Sequence, residues 1–204
     1  MKLRNTFLAF AAIGTAIMLP AAPAQASGFD SAETVQEATL SSFTKIYIAP
    51  VEVTLDEADF SLNSRRGRGR NNSGQRPITE SDQDLKANDL HRALSRSFAK
   101  NFEIVDAPTA DALTVSATIT KLTPSRPTAN EQSRGVGVQF GGSVSPGGAS
   151  YSVVFTNNNQ TLYTATESYR GNLTDGIPRI EIWYDTDVAF DRFAKKLSRY
   201  VRKN

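Results

Sequence analysis

The sequence predicts an α/β fold of the α+β type, a two-layer sandwich in which two helices cover one face of a sheet. We expect a mixed, mostly antiparallel sheet of about five strands. Three observations lead to this prediction: residues 112–122 alternate apolar and polar, residues 150–170 resemble a β-hairpin, and two segments have the apolar spacing of amphipathic helices. A sheet with one apolar face is stable only when a second layer covers that face, and the helices provide it.

The first 26 residues have the composition of a secretory signal peptide. Lys2 and Arg4 precede an apolar run at residues 7–19, and residues 24–26 (Ala-Gln-Ala) match a small-x-small cleavage site. As a helix the run would extend about 20 Å, less than the ~30 Å hydrocarbon core of a bilayer. We therefore expect residues 1–26 to be cleaved and the protein to be periplasmic. An uncleaved membrane anchor is the alternative.

The overall composition excludes several classes of protein. The 204 residues include no cysteine, so disulfides, thiolate metal sites, cysteine nucleophiles and a lipid anchor on cysteine are not expected. The formal net charge of +2 disappears once the leader, with its two basic and no acidic residues, is removed. A neutral chain argues against a nucleic-acid partner, which would favour a basic surface.

The chain after the leader begins with a polar stretch. We expect residues 27–42 to be flexible and residues 43–204 to form a single domain. The first strand is predicted at residues 45–53, whose apolar side chains occur on both faces, as in a strand covered on both sides. Pro50 requires an edge, a bulge or a strand end nearby, because proline cannot donate to a β-ladder.

Residues at about 56–79 form a long polar insertion rich in arginine and glycine. We predict disorder there, because this composition cannot bury a core. Its candidate anion-contacting residues are Arg65, Arg66, Arg68 and Arg70. They indicate an arm that binds anionic headgroups or glycan acids, although no aromatic residue interrupts them, as stacking on nucleic acid would need. A solvated mobile loop is the simpler interpretation.

An amphipathic helix is predicted after this insertion, with Ser81 or Asp82 as its cap. A short strand at residues 102–105 and a turn at 106–111 then lead to the best-specified strand, at residues 112–122. The apolar stripe of the helix consists of Leu85, Leu90, Ala93, Leu94, Ser97 and Phe98. The apolar face of the strand consists of Leu113, Val115, Ala117 and Ile119. Threonine and serine occupy the other strand face, which we expect to meet water, a partner or a loop.

The chain continues with a glycine-rich loop at about residues 124–148 and then the hairpin. A phosphate-binding glycine loop is rejected, because a strand follows the glycines and no Gly-Lys-Ser/Thr sequence occurs. The hairpin strands are predicted at residues 150–155 and 161–170. Asparagines at residues 157–159 tolerate the positive φ of the connecting turn.

A terminal helix completes the predicted fold, with Asp185 or Thr186 as its cap. Its apolar stripe consists of Trp183, Phe190, Phe193, Ala194, Leu197 and Val201. The opposite face is basic, and its candidate anion-contacting residues are Arg192, Lys195, Lys196 and Arg199. Such cations either favour the negative end of the helix dipole, which is the simpler account, or meet an anionic lipid surface or acidic partner.

No catalytic, cofactor-binding or metal-binding residue is assigned. His91 is the single histidine, and we expect it to point outward because Leu90 and Leu94 mark the apolar stripe of its helix. A weaker alternative is an envelope hydrolase acting on glycan or peptide. It would pair Glu167 with Asp185 or Asp187, provided that the carboxyl groups approach within about 5–10 Å.

The order of features resembles a known family. The segments that carry the resemblance are residues 45–51 (Lys-Ile-Tyr-Ile-Ala-Pro-Val), residues 106–115, a Gly-Gly run before the hairpin, and Trp183 followed by residues 190–194. They resemble the bacterial envelope family called domain of unknown function 3313 over about residues 43–202. More distantly, they resemble accessory proteins of envelope transport and secretion. Many members of that family are lipoproteins, whereas this chain lacks the cysteine.

The resemblance implies a periplasmic, non-catalytic role and supplies no functional residues. With the sequence features, it leads us to expect an exported interaction module in envelope assembly or transport. The expected partner is an envelope protein or an anionic envelope surface. The sequence leaves the oligomeric state open.

Overall fold

A computed structural model describes residues 28–35, 39–55, 78–125, 146–171 and 181–204. Two helices and seven strands occur in these ranges, together with one short 3-10 turn at Leu40–Ser42. The strands are β1 (Ser31–Thr34), β2 (Lys45–Ile48), β3 (Glu52–Val53), β4 (Glu103–Val105), β5 (Ala112–Thr123), β6 (Gly148–Asn157) and β7 (Gln160–Arg170). The helices are α1 (Glu80–Phe98) and α2 (Tyr184–Lys203).

The strands form one mixed sheet in the order β1-β7-β6-β5-β2-β4, with β3 also paired to β5. The hairpin partners β6 and β7, and β1 beyond them, are antiparallel, whereas β2, β3 and β4 are parallel to their neighbours. The two helices cover one face, which confirms the predicted two-layer α+β sandwich. The sheet has seven strands rather than about five.

Pro50 accounts for one of the additional strands. The segment predicted as one strand over residues 45–53 pairs with β5 on both sides of the proline, as β2 before it and β3 after it. Ala49 N still donates to Val115 O at 3.0 Å, and the ladder resumes at Glu52. The predicted break is therefore confirmed as an interruption of one parallel pairing.

The second additional strand, β1, lies in the segment that the sequence analysis expected to be flexible. β1 forms the edge of the sheet beside β7, with Ser31 opposite Thr166. Just before it, Phe29 is 4% exposed, and its ring meets those of Phe193 and Tyr200 edge to face at 6.3 and 5.9 Å. The sequence predicted no strand here, because one aromatic anchor and four paired residues are too short for a periodic pattern to be visible.

The central strand β5 agrees with its predicted pattern. Leu113, Val115 and Ile119 are fully buried, and all of them belong to the core that the helices cover. Thr114 and Ser116, on the other face, are half-buried. The alternation has the predicted register, because a shift by one residue would expose every apolar side chain of the strand.

Helix α1 has its N-cap two to three residues before the predicted caps. Thr79 is the N-cap: its hydroxyl accepts from Asp82 N at 3.2 Å, and Asp82 Oδ2 accepts from Thr79 N at 2.9 Å. This reciprocal capping box corrects the choice of Ser81 or Asp82. Leu85, predicted on the apolar stripe, is 49% exposed, whereas Lys86 beside it is 2% exposed.

Helix α2 also differs from prediction at its start. Trp183 is the N-cap and makes no capping hydrogen bond through its side chain. Asp185, a predicted cap, is buried and accepts from Ser125 Oγ at 2.9 Å and from Gly147 N at 2.8 Å. The carboxylate therefore bonds the end of β5 to the start of β6. No helix of the described residues is long and apolar enough to span a membrane.

Replacing Phe29 by Ala should lower the free energy of unfolding by about 3 kcal/mol, because it removes a ring buried against Phe193 and Tyr200. Urea denaturation followed by circular dichroism measures the change. Val35→Ala, at a residue that is 51% exposed, is the control and should change the stability by less than about 0.5 kcal/mol. Equal stabilities of the two variants would contradict the docking of the N-terminal segment.

Candidate functional site

A groove runs between the two helices on the surface that faces away from the sheet. Its volume is about 530 Å³. Side chains of α1 form one wall, and residues at and before the start of α2 form the other. Its charged lining consists of Asp89, Arg92, Arg96, Glu181, Asp187 and Asp191.

A buried lysine links the two helices next to this groove. The Lys86 side chain is 3% exposed, and its Nζ lies 2.6 Å from Asp89 Oδ2 and 2.7 Å from Asp187 Oδ1. The ammonium also lies 5.8 Å from the centre of the Trp183 ring. Burying this cation without partners would be costly, so the two carboxylates allow Lys86 to occupy a core position.

The two carboxylates that share Lys86 titrate differently. Burial acts to raise the pKa of Asp89, but hydrogen bonds from Lys86 and Arg92 outweigh it, and the pKa lies below its usual value of 3.8. Burial raises the pKa of Asp187 above 3.8, and its hydrogen bond to Lys86 does not compensate. Ionised Asp89 therefore stabilises the fold, whereas ionised Asp187 carries a net cost.

The outer part of the groove holds exposed charges of opposite sign on its two walls. The side chains of Arg92 and Arg96 on α1 are 69% and 72% exposed. Opposite them, Asp191 on α2 is 52% exposed and lies 3.2 Å from Arg96 Nη2. Glu181, just before α2, is exposed as well. The α1 wall is thus basic at its rim, and the α2 wall is acidic.

A second surface, the hydroxyl face, lies on the side of the sheet away from both helices. The strand registers place its residues side by side: Thr114 pairs with Thr156, Thr118 with Ser152, Ser152 with Thr166, and Thr166 with Ser31. Hydroxyls join neighbouring strands at Ser31–Thr166 (2.6 Å) and Ser168–Ser150 (2.8 Å). We define the hydroxyl face as Ser31, Thr114, Ser116, Thr118, Ser150, Ser152, Thr156, Thr164, Thr166 and Ser168.

The predicted basic face of α2 is partly occupied by intramolecular contacts. Lys196 Nζ lies 2.6 Å from Glu167 Oε2, donates to Gly28 O, and lies 4.3 Å from the centre of the Phe29 ring. Arg192 stacks on the Tyr169 ring at 4.9 Å. Lys195 and Arg199 are exposed. Lys196 thus holds the N-terminal segment in place, and contact of these cations with an anion stays a prediction.

The arginine-rich insertion, with Arg65, Arg66, Arg68 and Arg70, lies outside the described residues, as does most of the glycine-rich loop. Its predicted role therefore stays a prediction.

The three acidic residues of the hydrolase alternative have different partners. Glu167 is paired with Lys196, Asp185 bonds to Ser125 and Gly147, and Asp187 is paired with Lys86. His91 is half-buried, and its Nε2 lies 3.3 Å from the backbone oxygen of Ile48. Within the ranges that the structure describes, no group of three or more acidic or histidine side chains could hold a metal ion.

Comparison with known proteins identifies a family and distant structural relatives. The family model described as Protein of unknown function (DUF3313) matches residues 34–197. No curated protein sequence matches the chain significantly.

Solved structures that match the chain include a PelC dodecamer from Paraburkholderia phytofirmans, at 9% identity and a TM-score of 0.42, over 82% of this chain and 96% of that one. Protein XCC0632 from Xanthomonas campestris, of the family DUF330, has 9% identity and a TM-score of 0.44, over 83% and 90%. A putative neuraminyllactose-binding hemagglutinin homolog from Helicobacter pylori has 7% identity and a TM-score of 0.36, over 82% and 85%. These identities are too low to transfer a ligand or a partner.

The opposite pKa shifts of Asp89 and Asp187 predict unequal effects of removing each charge. Asp89→Asn should cost about 2 kcal/mol of unfolding free energy at pH 7, because it removes charged hydrogen bonds to Lys86 and Arg92. Asp187→Asn should cost less than about 1 kcal/mol, because it also removes a carboxylate whose ionised form the fold disfavours. Urea denaturation at several pH values measures both.

The pH dependence follows from the direction of each shift. The stability that ionised Asp89 contributes is fully present above pH 3.8. It is lost as the pH falls through the lower pKa that Asp89 has in the folded protein. Ionised Asp187 lowers the stability of the fold when the pH is above its raised folded-state pKa. This loss of stability disappears as the pH falls toward 3.8. The two variants should therefore converge in acid. Asp84→Asn, at an exposed residue of α1, is the control. A greater loss for Asp187→Asn at pH 7 would contradict this account.

Proposed function

The chain belongs to the family Protein of unknown function (DUF3313), and we propose that it is an exported, periplasmic, non-catalytic interaction module in envelope assembly or transport. The leader-like composition of residues 1–26 supports export. The observation that supports an interaction role is the hydroxyl face, which extends over four strands on the side of the sheet that faces away from α1 and α2.

The chemistry of the hydroxyl face indicates what it binds. Serine and threonine hydroxyls donate and accept hydrogen bonds and rotate to suit their partner. The charged residues paired into its rows lie at its margins: Glu33 opposite Thr164, Glu52 opposite Thr118, and Lys121 opposite Ser150. A broad, neutral, hydrogen-bonding surface fits a protein partner better than an anionic membrane. We propose that the partner is an envelope protein that presents an uncharged polar surface.

Export predicts a defined N-terminus. Protein recovered from the periplasmic fraction of a bacterial host should begin at Ser27, as measured by intact mass and N-terminal sequencing. Replacing both Ala24 and Ala26 by Leu should block cleavage, because signal peptidase needs small residues there. A wild-type protein that keeps Met1 and stays in the cytoplasm would contradict export.

A partner on the hydroxyl face should be detectable by site-specific photocrosslinking in the periplasm. A photoreactive phenylalanine analogue at Thr118 or Thr166, which lie on the same row of the face, should give one common adduct. The same analogue at Lys100, an exposed residue in the turn after α1, should not give it.

A charge placed in the face provides a stricter test. Thr166→Lys should abolish the adduct formed from Thr118, because a buried unpaired ammonium disfavours the complex. Lys100→Glu should leave that adduct unchanged. An equal yield of adducts from the face and from Lys100, or no adduct from the face, would argue against the proposal.

A further inference from the structure

We propose that the groove between α1 and α2 is a self-association surface, in which the helical layers of two copies of this chain pack face to face about a twofold axis along the groove. This inference concerns the helical layer and does not depend on the hydroxyl face or on its partner.

The two walls of the groove carry opposite charges at their rims. The rim of the α1 wall carries Arg92 and Arg96, which pair within the chain with Asp89 and Asp191 and whose side chains are 69% and 72% exposed. Each guanidinium has further N–H groups that a second copy can bind. The rim of the α2 wall carries Asp187 and Asp191, with Glu181 before the helix. A surface with one basic and one acidic side is complementary to its own twofold image, because each basic side then meets an acidic side. Each contact is made twice in such a pair, so a modest attraction is doubled.

The two helices that form the groove run in the same direction. Lys86 contacts Asp187, Arg96 contacts Asp191, and Ser198 donates to Ser97 O at 3.1 Å. These contacts advance in the same direction along both helices, so α1 and α2 run parallel. A twofold axis along the groove keeps each residue at the same height along the helices and places α1 of one copy over α2 of the other. It therefore places Arg92 and Arg96 of one copy over Asp187 and Asp191 of the other.

One apolar side chain beside the groove is left half exposed by the part of the chain that the structure describes. Leu85 is 49% exposed and lies one turn before Asp89. Residues 85, 89, 92 and 96 are spaced by three or four positions, so Leu85 lies on the groove side of α1. At the same level of α2, Tyr184 and Val188 are half-buried in the groove lining. The twofold arrangement covers Leu85 with Tyr184 and Val188 of the second copy, which adds apolar burial to the charge pairing.

A charge-swap experiment on the full-length protein tests the proposal, with sedimentation velocity as the readout. The wild type should form a dimer, and about 1 M NaCl, where the Debye length is ~3 Å, should dissociate it. The basic-wall variant Arg92→Glu/Arg96→Glu and the acidic-wall variant Glu181→Lys/Asp191→Lys should each weaken the dimer at least about tenfold. Both variants leave the buried pairs of Lys86 with Asp89 and Asp187 in place.

Mixing the two variants should restore a heterodimer, because the introduced Glu side chains then face the introduced Lys side chains. Restoration also shows that both variants are folded. Arg192→Glu/Lys203→Glu, at exposed residues on the flank of α2 that faces away from α1, is the matched control and should remain dimeric. A monomeric wild type, a dimer that survives either wall variant, or a mixture that stays monomeric would overturn the proposal.

Discussion

The structure depends on one requirement, that the apolar side of β5 be kept from water. Leu113, Val115 and Ile119 lie at the centre of the sheet and are fully buried, so a layer has to lie across them. Helix α1 packs over the parallel strands on one side of β5, and α2 packs over the hairpin on the other side. The helices must therefore lie side by side, and their line of contact forms the groove. The same strand places its threonines and serine on the opposite face, so one alternating segment determines both candidate interaction surfaces.

Buried charge fixes how the helices and strands meet. Lys86 joins α1 to α2 through two carboxylates, and Asp185 joins the first turn of α2 to Ser125 and Gly147 at the ends of β5 and β6. A hydrophobic contact tolerates sliding, whereas these ion pairs and hydrogen bonds lose their geometry when an element shifts. Gly147 is required in this arrangement, because a Cβ there would lie 2.5 Å from Ser125 Oγ and 2.9 Å from Thr123 O. The buried polar groups thus fix the position of the helices on the sheet, which apolar packing alone would determine less closely.

The elements predictable from the sequence are those with a repeating pattern. The alternation in β5, the hairpin with Asn158 and Asn159 at positive φ, and the interruption at Pro50 all follow from local rules. The groove was not predicted, because Lys86, which links the helices next to it, has a charge that suggests exposure to solvent, and its partner Asp187 is 101 residues away. The exposure of Leu85 was not predicted either, because apolar spacing alone does not show which of two adjacent residues, here Leu85 or Lys86, is buried. The signal available in the sequence was a lysine at an apolar position of the helical stripe. It indicates a buried ion pair only when an acidic residue follows one turn later, as Asp89 does.

The position of β1 sets the order in which the sheet can be completed. Its Ser31 pairs with Thr166, which is 135 residues further along the chain. During synthesis, β1 emerges long before β7, and contacts of such long sequence separation form slowly. In that interval the free edge of β7 is open to pairing with any extended segment nearby. The segment that contains β1 would therefore be the last part to join the sheet.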